Sequence, residues 1–238
     1  MTGRSLAVVL PAHNSEDNID TTVAELSGWF RLHSVAGQVV IVENGSTDGT
    51  WDVMQRIDRT ALPFELVCTR SDKGLGNAIR EGLTRVTTDV VLITADDLPF
   101  GFSDIDGYLS LTTTPDIAIG SKAHPGTNGT RSFGREVMST VFRLLRRMVV
   151  RVDLGDTQGT IMGDAATIKR CATLTEQSGY LMTTELLAHA VRAGSSIVEL
   201  PVVYRRDLRG SNINVVSDSI RMLRGLFQVR ASVRRTVS

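Results

Sequence analysis

Cysteine is scarce. Cys68 and Cys171 are the only two in 238 residues, and they form no metal or redox spacing and no disulfide framework. His13, His33, His124 and His189 show no metal-ligand spacing either. Bulk charge of one sign is missing, with Lys+Arg and Asp+Glu at 26 each, so composition does not select a nucleic-acid partner. No apolar run approaches the about 18 residues of a membrane span, and no basic-then-apolar leader opens the chain. Internal repeats, low-complexity tracts and linkers are also lacking, which favours a single domain. The expectation is a cytoplasmic protein that touches the inner face of a membrane without crossing it.

Charge is present locally where it cancels globally. Arg131, Arg135, Arg143, Arg146, Arg147 and Arg151 stand against Glu136 alone, and eight arginines between Arg205 and Arg235 stand against Asp207 and Asp218. Such patches suit phosphates or a membrane surface, or are simply solvated helix faces.

Short β-branched runs alternate with helical patterns through the first half. "LAVVL" (6–10), "VVIV" (39–42), "FELVC" (64–68), "VVLIT" (90–94) and "DIAIG" (116–120) read as buried strands. Helical patterns over 18–32, 49–59, 75–86 and 104–111 lie between them. The alternation predicts an α/β fold, a mostly parallel sheet with helices on both faces. Ligands of such sheets bind beyond the carboxyl ends of the strands. Polar clusters follow each strand there: "PAHNSED", "ENGSTDGT", "TRSDKGLG", "ADDLPFG" and "SKAHPG". Five loops on one rim make one pocket.

The second half is amphipathic and basic. Met138, Val141, Phe142, Leu145, Met148 and Val149 share one helical stripe, with Arg143 and Arg147 turned away. From Val216 the device repeats with Ile220, Leu223 and Phe227. Both read as core-packing helices, with a membrane-lying role as the alternative.

Taken singly, the polar clusters admit structural readings. In "ENGSTDGT", Asp48 or Ser46 can cap the following helix. "KGLGNA" (73–78) offers a Lys and two glycines at a helix start, a candidate anion nest that lacks the third Gly of a dinucleotide fingerprint. No Gly-Lys-Ser/Thr phosphate loop occurs.

Taken in order, however, "VVLPAHNSEDNI", "IVENGSTDGTWDV", "DKGLGNAIREGL", "VVLITADDLPFG", "AIGSK", "RSFGREVMS", "GDTQGTIMG", "TTELL" and "ELPVVYRRDLRGSN" resemble family-2 glycosyltransferases of the GT-A (Rossmann-like) fold. The branch most similar is the dolichyl- or polyprenyl-phosphate sugar synthases. The resemblance implies transfer of a sugar with inversion from a nucleotide-sugar donor, helped by Mg²⁺ or Mn²⁺ at an Asp-x-Asp motif. It implies a GT-A domain over 1–214, followed by a basic amphipathic C-terminal helix over 215–238, packed on that domain or on a neighbour.

The same resemblance distributes roles. Pro11, Ala12, His13, Asn14, Glu16, Glu43, Asn44, Lys73, Ala95 and Asp96 fall about the nucleotide sugar. Asp97 matches the second Asp of the metal motif and is the expected ligand, with a turn cap as the structural alternative. Ala95 stands where the first Asp belongs. Asp96 fills the spacer, and on a strand it points to the side opposite Asp97. Lys122, Arg135 with Ser139, and Arg206 are matched to phosphate, with Arg131 and Arg209 as weaker candidates. Asp156 and Glu185 fall near the acceptor, although Asp156 can equally hold its loop and Glu185 can equally face a helix dipole. His13 lies on the rim, where a plain hydrogen-bonding role suffices.

Departures from the family pattern gather at the donor side. Ser15 precedes Glu16 where Glu is usual, Glu43-Asn44 replaces Asp-Asp, and Ser211-Asn212 replaces Ser-Lys. Acceptor chemistry decides whether a base is needed: a hydroxyl requires one, whereas a polyprenyl phosphate is already an anionic nucleophile. A lipid phosphate is the favoured acceptor, with helices 135–150 and 216–235 as the membrane contact. A soluble small-molecule acceptor, or a degenerate nucleotide-binding member without turnover, are the rivals. A nucleotidyltransferase is disfavoured because "PAHNSEDNI" lacks a Gly-rich loop and an Arg.

Overall fold

The computed structural model describes residues 4–128, 133–205 and 215–235, the side chains of 133–139 and 215–221 excepted. In chain order the elements are β1 (Leu6–Ala12), α1 (Ile19–His33), β2 (Gly37–Glu43), α2 (Thr50–Arg56), β3 (Glu65–Arg70), α3 (Leu75–Arg85), β4 (Val90–Ile93) and α4 (Ser103–Leu109). They continue as β5 (Ile117–Ser121), α5 (Phe133–Val149), β6 (Thr160–Asp164), α6 (Ala165–Thr173), α7 (Leu181–Arg192), β7 (Ile197–Pro201) and α8 (Val215–Arg235).

The strands form one sheet in the order β3-β2-β1-β4-β6-β5-β7. All pairings are parallel except those of β6, which runs antiparallel to both β4 and β5. The five expected strands are present. β6 and β7 are additions the apolar-run reading did not find. β6 is only five residues long and framed by glycines, and β7, "IVELP", is a half-exposed edge strand where a terminal Pro is tolerated.

Strand alternation sorts the core into two layers. Leu6, Val8, Leu10, Val39, Ile41 and Leu92 pack against α1, α2 and α4 through Phe30, Met54 and Ile105. Ala7, Val9, Val40, Val42, Ile93 and Ile161 face α3, α6 and α7 through Ile79, Ile168 and Leu186. Helices therefore cover both faces, as a parallel sheet requires.

A third cluster joins α5, α7 and α8 through Val149, Val150, Ala188, Leu226, Val229 and Val233. Here the expected helix phases are corrected. Val141, Met148, Leu223 and Phe227, assigned to buried stripes, are 49%, 56%, 36% and 54% exposed, whereas Arg146 is only 1% exposed. Hydrophobic period gives the stripe, but which edge of it meets a neighbour is set by tertiary packing. Met138 and Ile220 lie outside the described side chains.

Candidate active site

The register fixes which loops share the rim. Ala12 pairs with Glu43, and Glu43 with Arg70, so β1, β2 and β3 end level. Val9 pairs with Ile93, and Ile93 with Ile161, so the antiparallel β6 begins where β4 ends. Gly120 pairs with Thr160. The chain before β6, "GDTQG", is thereby brought beside "ADD" on one flank and "SK" on the other. Pro11 to Glu16, Glu43-Asn44, Ala95 to Asp97, Lys122 and Asp156 to Gln158 converge on one edge.

On the β1–β3 side, side-chain oxygens tie loop to loop. Asn14, at φ 52°, donates its backbone N–H to Ser46 Oγ (3.1 Å) and accepts from the Thr47 N–H at Oδ1 (2.8 Å). A short polar side chain tolerates that left-handed conformation. Glu16 Oε2 accepts from the Gly49 N–H (2.7 Å), at the start of α2, and the Ser15 N–H donates to Thr50 Oγ1 (2.8 Å). Asn44 Nδ2 donates to the Ala12 carbonyl (3.1 Å). Glu43 is buried, accepts from the Ser46 N–H at Oε1 (2.5 Å), and meets Arg70 Nε at 3.4 Å, while the Arg70 guanidinium lies 4.0 Å over the Trp51 ring. Asp48 serves the α2 terminus, accepting from the Thr50 N–H (3.1 Å). His13 is exposed and donates its backbone N–H to Ser15 Oγ (3.1 Å).

The anion-nest reading of "KGLGNA" is corrected. The Gly76 N–H donates to the Ser178 carbonyl (2.8 Å), and the Gly74 N–H to Asn44 Oδ1 (3.4 Å). A Cβ on either glycine would sit 2.4 Å from a carbonyl oxygen, Ser178 for Gly74 and Gln177 for Gly76. The glycines let the 177–178 backbone approach α3. Lys73 stays exposed beside Gly45.

Just beyond the end of β4 a turn decides the metal question. Ala95 and Asp97 are exposed on the rim, and Asp96 between them is 6% exposed. Thr22 Oγ1 fastens the Asp96 carbonyl from α1 (2.5 Å). The Leu98 N–H closes the turn onto the Ala95 carbonyl (3.1 Å), with Leu98 at φ 45°, a strained value for a bulky residue. Burial of the Leu98 side chain, 2% exposed, offsets that strain. Asp96 therefore does not replace the carboxylate missing at Ala95. Among the described residues no three His, Cys, Asp or Glu side chains cluster as a metal cage. The rim offers one motif carboxylate, Asp97. That donor set fits a hard divalent ion that keeps waters and takes its other oxygens from a diphosphate.

Across the rim, Asp156 knits two loops. Its Oδ2 accepts from the Lys122 N–H (3.0 Å) and its Oδ1 from the Gln158 N–H (2.8 Å). Lys122 Nζ donates to the Gln158 carbonyl (3.0 Å) and stands 4.0 Å from Asp156 Oδ2. Glu199, on β7, accepts from the Gly155 N–H (2.5 Å), and Gln158 Nε2 donates to the Tyr180 carbonyl (3.1 Å). The sequence reading missed Thr157, Gln158 and Glu199. Their only signal was a run of hydrogen-bonding residues between glycines.

Glu185, expected near the acceptor, stands on α7. It is 0% exposed, and its Oε2 accepts from the N–H groups of Glu176 (2.8 Å) and Gln177 (2.9 Å). Those two bonds hold the loop before α7, while Oε1, also buried, meets no partner among the described residues. The side chains of Arg135 and Ser139, and Arg131, Arg206, Arg209, Ser211 and Asn212, lie outside the described residues.

Residues 7–165 match the model of the family described as Glycosyl transferase family 2. The chain is 25% identical over 247 residues to the dolichyl-phosphate beta-glucosyltransferase of Saccharomyces cerevisiae, with 94% of this chain and 74% of that protein covered. It is 23% identical over 211 residues to the dolichol-phosphate mannosyltransferase of Pyrococcus furiosus, covering 87% of this chain but only 58% of the relative. In shape it is similar to glucosyl-3-phosphoglycerate synthase from Mycobacterium tuberculosis, with a TM-score of 0.66 at 20% identity, covering 98% of this chain and 79% of that one. That synthase was crystallised with Mn²⁺, uridine diphosphate and phosphoglyceric acid, and also with Mg²⁺ and uridine diphosphate. With a family match over well more than half its length and a GT-A fold around one polar rim, the chain belongs to glycosyl transferase family 2, the nucleotide-sugar-dependent glycosyltransferases.

Proposed function

We propose that the protein transfers a sugar, with inversion, from a nucleotide sugar to a polyprenyl phosphate at a membrane surface. The observation that carries the acceptor is the outward apolar edge of a basic helix. Val141, Leu144 and Met148 are 49%, 57% and 56% exposed along α5, with Arg143 and Arg147 beside them. Leu223 and Phe227 repeat the pattern on α8. Such a surface suits the boundary between lipid headgroups and acyl chains. The named activities of the yeast and Pyrococcus relatives support the same acceptor. No helix among the described residues is long and apolar enough to cross a membrane; in this reading the contact is peripheral, on the cytoplasmic face.

In this reading a phosphate oxygen of the acceptor attacks the anomeric carbon as its bond to the nucleoside diphosphate breaks. The acceptor is anionic before it attacks, so no residue must take a proton. Asp97 would hold Mg²⁺ or Mn²⁺, which supplies charge neutralisation of the diphosphate. Lys122 would meet the same growing negative charge, and fixed cations lower that barrier; Arg135 and Arg206, matched to phosphate by the family resemblance, are assigned the same role. Pro11 to Asn14, Glu16, Glu43, Asn44, Lys73, Ala95 and Asp96 form or support the donor side. Asp156 orders the acceptor side.

The experiment is a transfer assay with radiolabelled nucleotide sugars, using anionic vesicles carrying polyprenyl phosphate and, in parallel, 3-phosphoglycerate. Label in the lipid phase is expected, with vesicle binding that weakens as salt rises and falls at least about tenfold in Met148→Glu/Phe227→Glu. Label in the aqueous product alone supports a soluble phosphorylated acceptor, the reading favoured by the acceptor bound in the mycobacterial synthase. Nucleotide binding without donor consumption would leave only a binding role.

A further inference from the structure

The largest wholly buried side chain in the described protein is an arginine. Arg146, on α5, is 1% exposed and sits beside the apolar cluster of Val149, Val150, Ala188 and Leu226. Its Nη1 donates to Thr157 Oγ1 (2.9 Å), and Thr157 Oγ1 is 2.8 Å from Thr184 Oγ1 on α7. Among the described residues Nε and Nη2 meet no acceptor, and no carboxylate stands within ion-pair distance. Burial lowers its pKa, while the fields of Asp156 and Glu199 favour the charge.

A guanidinium in that position is a poor stabiliser. Desolvating an ion without a close counter-ion costs several kcal/mol, and an apolar residue of similar volume there often folds as well or better. Its single firm contact is the hydroxyl of the residue between Asp156 and Gln158. Four other ties hold the same short loop: Glu199 to the Gly155 N–H, Asp156 to the Lys122 N–H, Lys122 Nζ to the Gln158 carbonyl, and Gln158 to the Tyr180 carbonyl. Those four act from the sheet edge and from the residue before α7. Arg146 is the tie from α5, the helix that carries the proposed membrane edge.

We propose that Arg146 is a positioning residue, which through Thr157 and Thr184 fixes the 155–158 backbone from beneath and so sets where Asp156 stands on the acceptor side of the rim. It touches no substrate; it acts through the loop. The idea rests on the glycosyl-transfer reading for its effect on turnover, but its structural half is independent of it.

The test compares Arg146→Met, Arg146→Lys and Thr157→Val by amide hydrogen exchange, thermal unfolding and steady-state kinetics. Arg146→Met is expected to speed exchange at the Lys122, Gly155 and Gln158 amides at least about tenfold, with the melting temperature unchanged or raised. Turnover should fall roughly 10- to 100-fold with little change in KM for the nucleotide sugar. Thr157→Val should reproduce both effects, the double variant should be no worse than either single one, and Arg146→Lys should recover part of the loss. Unchanged exchange at those amides in Arg146→Met would overturn the proposal. So would a lower melting temperature with faster exchange throughout, which marks a purely structural residue. If wild-type protein consumes no nucleotide sugar with any acceptor, the glycosyl-transfer reading fails, and the exchange data still judge the positioning role.

Discussion

The two flanks of the rim are held in different ways. On the β3-β2-β1-β4 flank, loops are stitched mainly by polar side chains to backbone N–H groups: Asn14 to Thr47, Glu16 to Gly49, Asn44 to Gly74. On the β6-β5-β7 flank, charged side chains share one loop: Lys122, Asp156, Glu199 and, from beneath, Arg146. The first arrangement spreads its ties over several side chains, the carboxylates of Glu16, Glu43 and Asp48 and the amides of Asn14 and Asn44. The second makes position depend on charge, so substitutions there can shift the site without unfolding the protein. In the proposed function the parallel flank is a scaffold for the donor, and the mixed flank is where acceptor geometry would be set.

The largest expected effect breaks that comparison at its seam, the end of β4. Asp97→Ala should cut turnover by 10²-fold or more and abolish the Mn²⁺ dependence of nucleoside diphosphate binding measured by calorimetry. Asp96→Asn should leave that dependence intact, because the Asp96 side chain is buried while Asp97 is exposed. Ala95→Asp, on the same exposed side as Asp97, should strengthen metal-dependent binding by about tenfold, since a second carboxylate adds ligand charge. Equal losses in Asp96→Asn and Asp97→Ala would mean that the chain at 95–97 turns differently when the donor binds.

The parallel flank was also the legible one. Runs such as "VVIV" and "VVLI" are continuous because strands of a parallel sheet are covered on both faces. The expectation that Asp96 and Asp97 point to opposite sides agrees with one being buried and the other exposed, although a turn past β4 and not the strand pleat separates them. Legibility fell where polar groups carry the architecture. β7 spends a Glu on Gly155, so it does not look like a strand. The glycines of "KGLGNA" resemble a phosphate nest because both features need a bare backbone, and only the fold reveals that Ser178 fills it. Charge pattern groups Arg146 with arginines that face phosphate, membrane or solvent, because charge is usually solvated, and motif order says nothing of the burial of Glu185.

Glu185 offers the next test, which sharpens the assignment of the mixed flank. Glu185→Leu strands the Glu176 and Gln177 N–H groups in a buried site, and should lower stability by about 1–3 kcal/mol in urea unfolding. Glu185→Gln keeps an acceptor oxygen and should retain most of the turnover. A Gln variant that folds normally yet loses 10²-fold or more in rate would place Glu185 in the chemistry, against its burial.

The smallest effect concerns pH, and it also belongs to the α7–α8 side. His189 is 3% exposed, one helical turn from Glu185, with Nε2 at 3.5 Å from Ser232 Oγ on α8. Burial lowers its pKa below the ordinary 6.5, against the fields of Glu185 and Glu176, while Arg192 adds to the lowering. The folded protein therefore takes up this proton at lower pH than the unfolded chain does. Its contribution to stability is fully present above pH 6.5 and is lost as pH falls from there toward the folded value. One such proton gives a slope of at most about 1.4 kcal/mol per pH unit. Asp104 works in the opposite sense: burial raises its pKa, so stability declines as pH rises from 3.8 through its folded value. Urea midpoints from pH 5 to 8 for wild type and His189→Gln separate the two, because only the His189 slope disappears in the variant. A slope below pH 6.5 that survives His189→Gln would assign the acid sensitivity to another group, and would remove the buried histidine from the account of how α8 stays docked on α7.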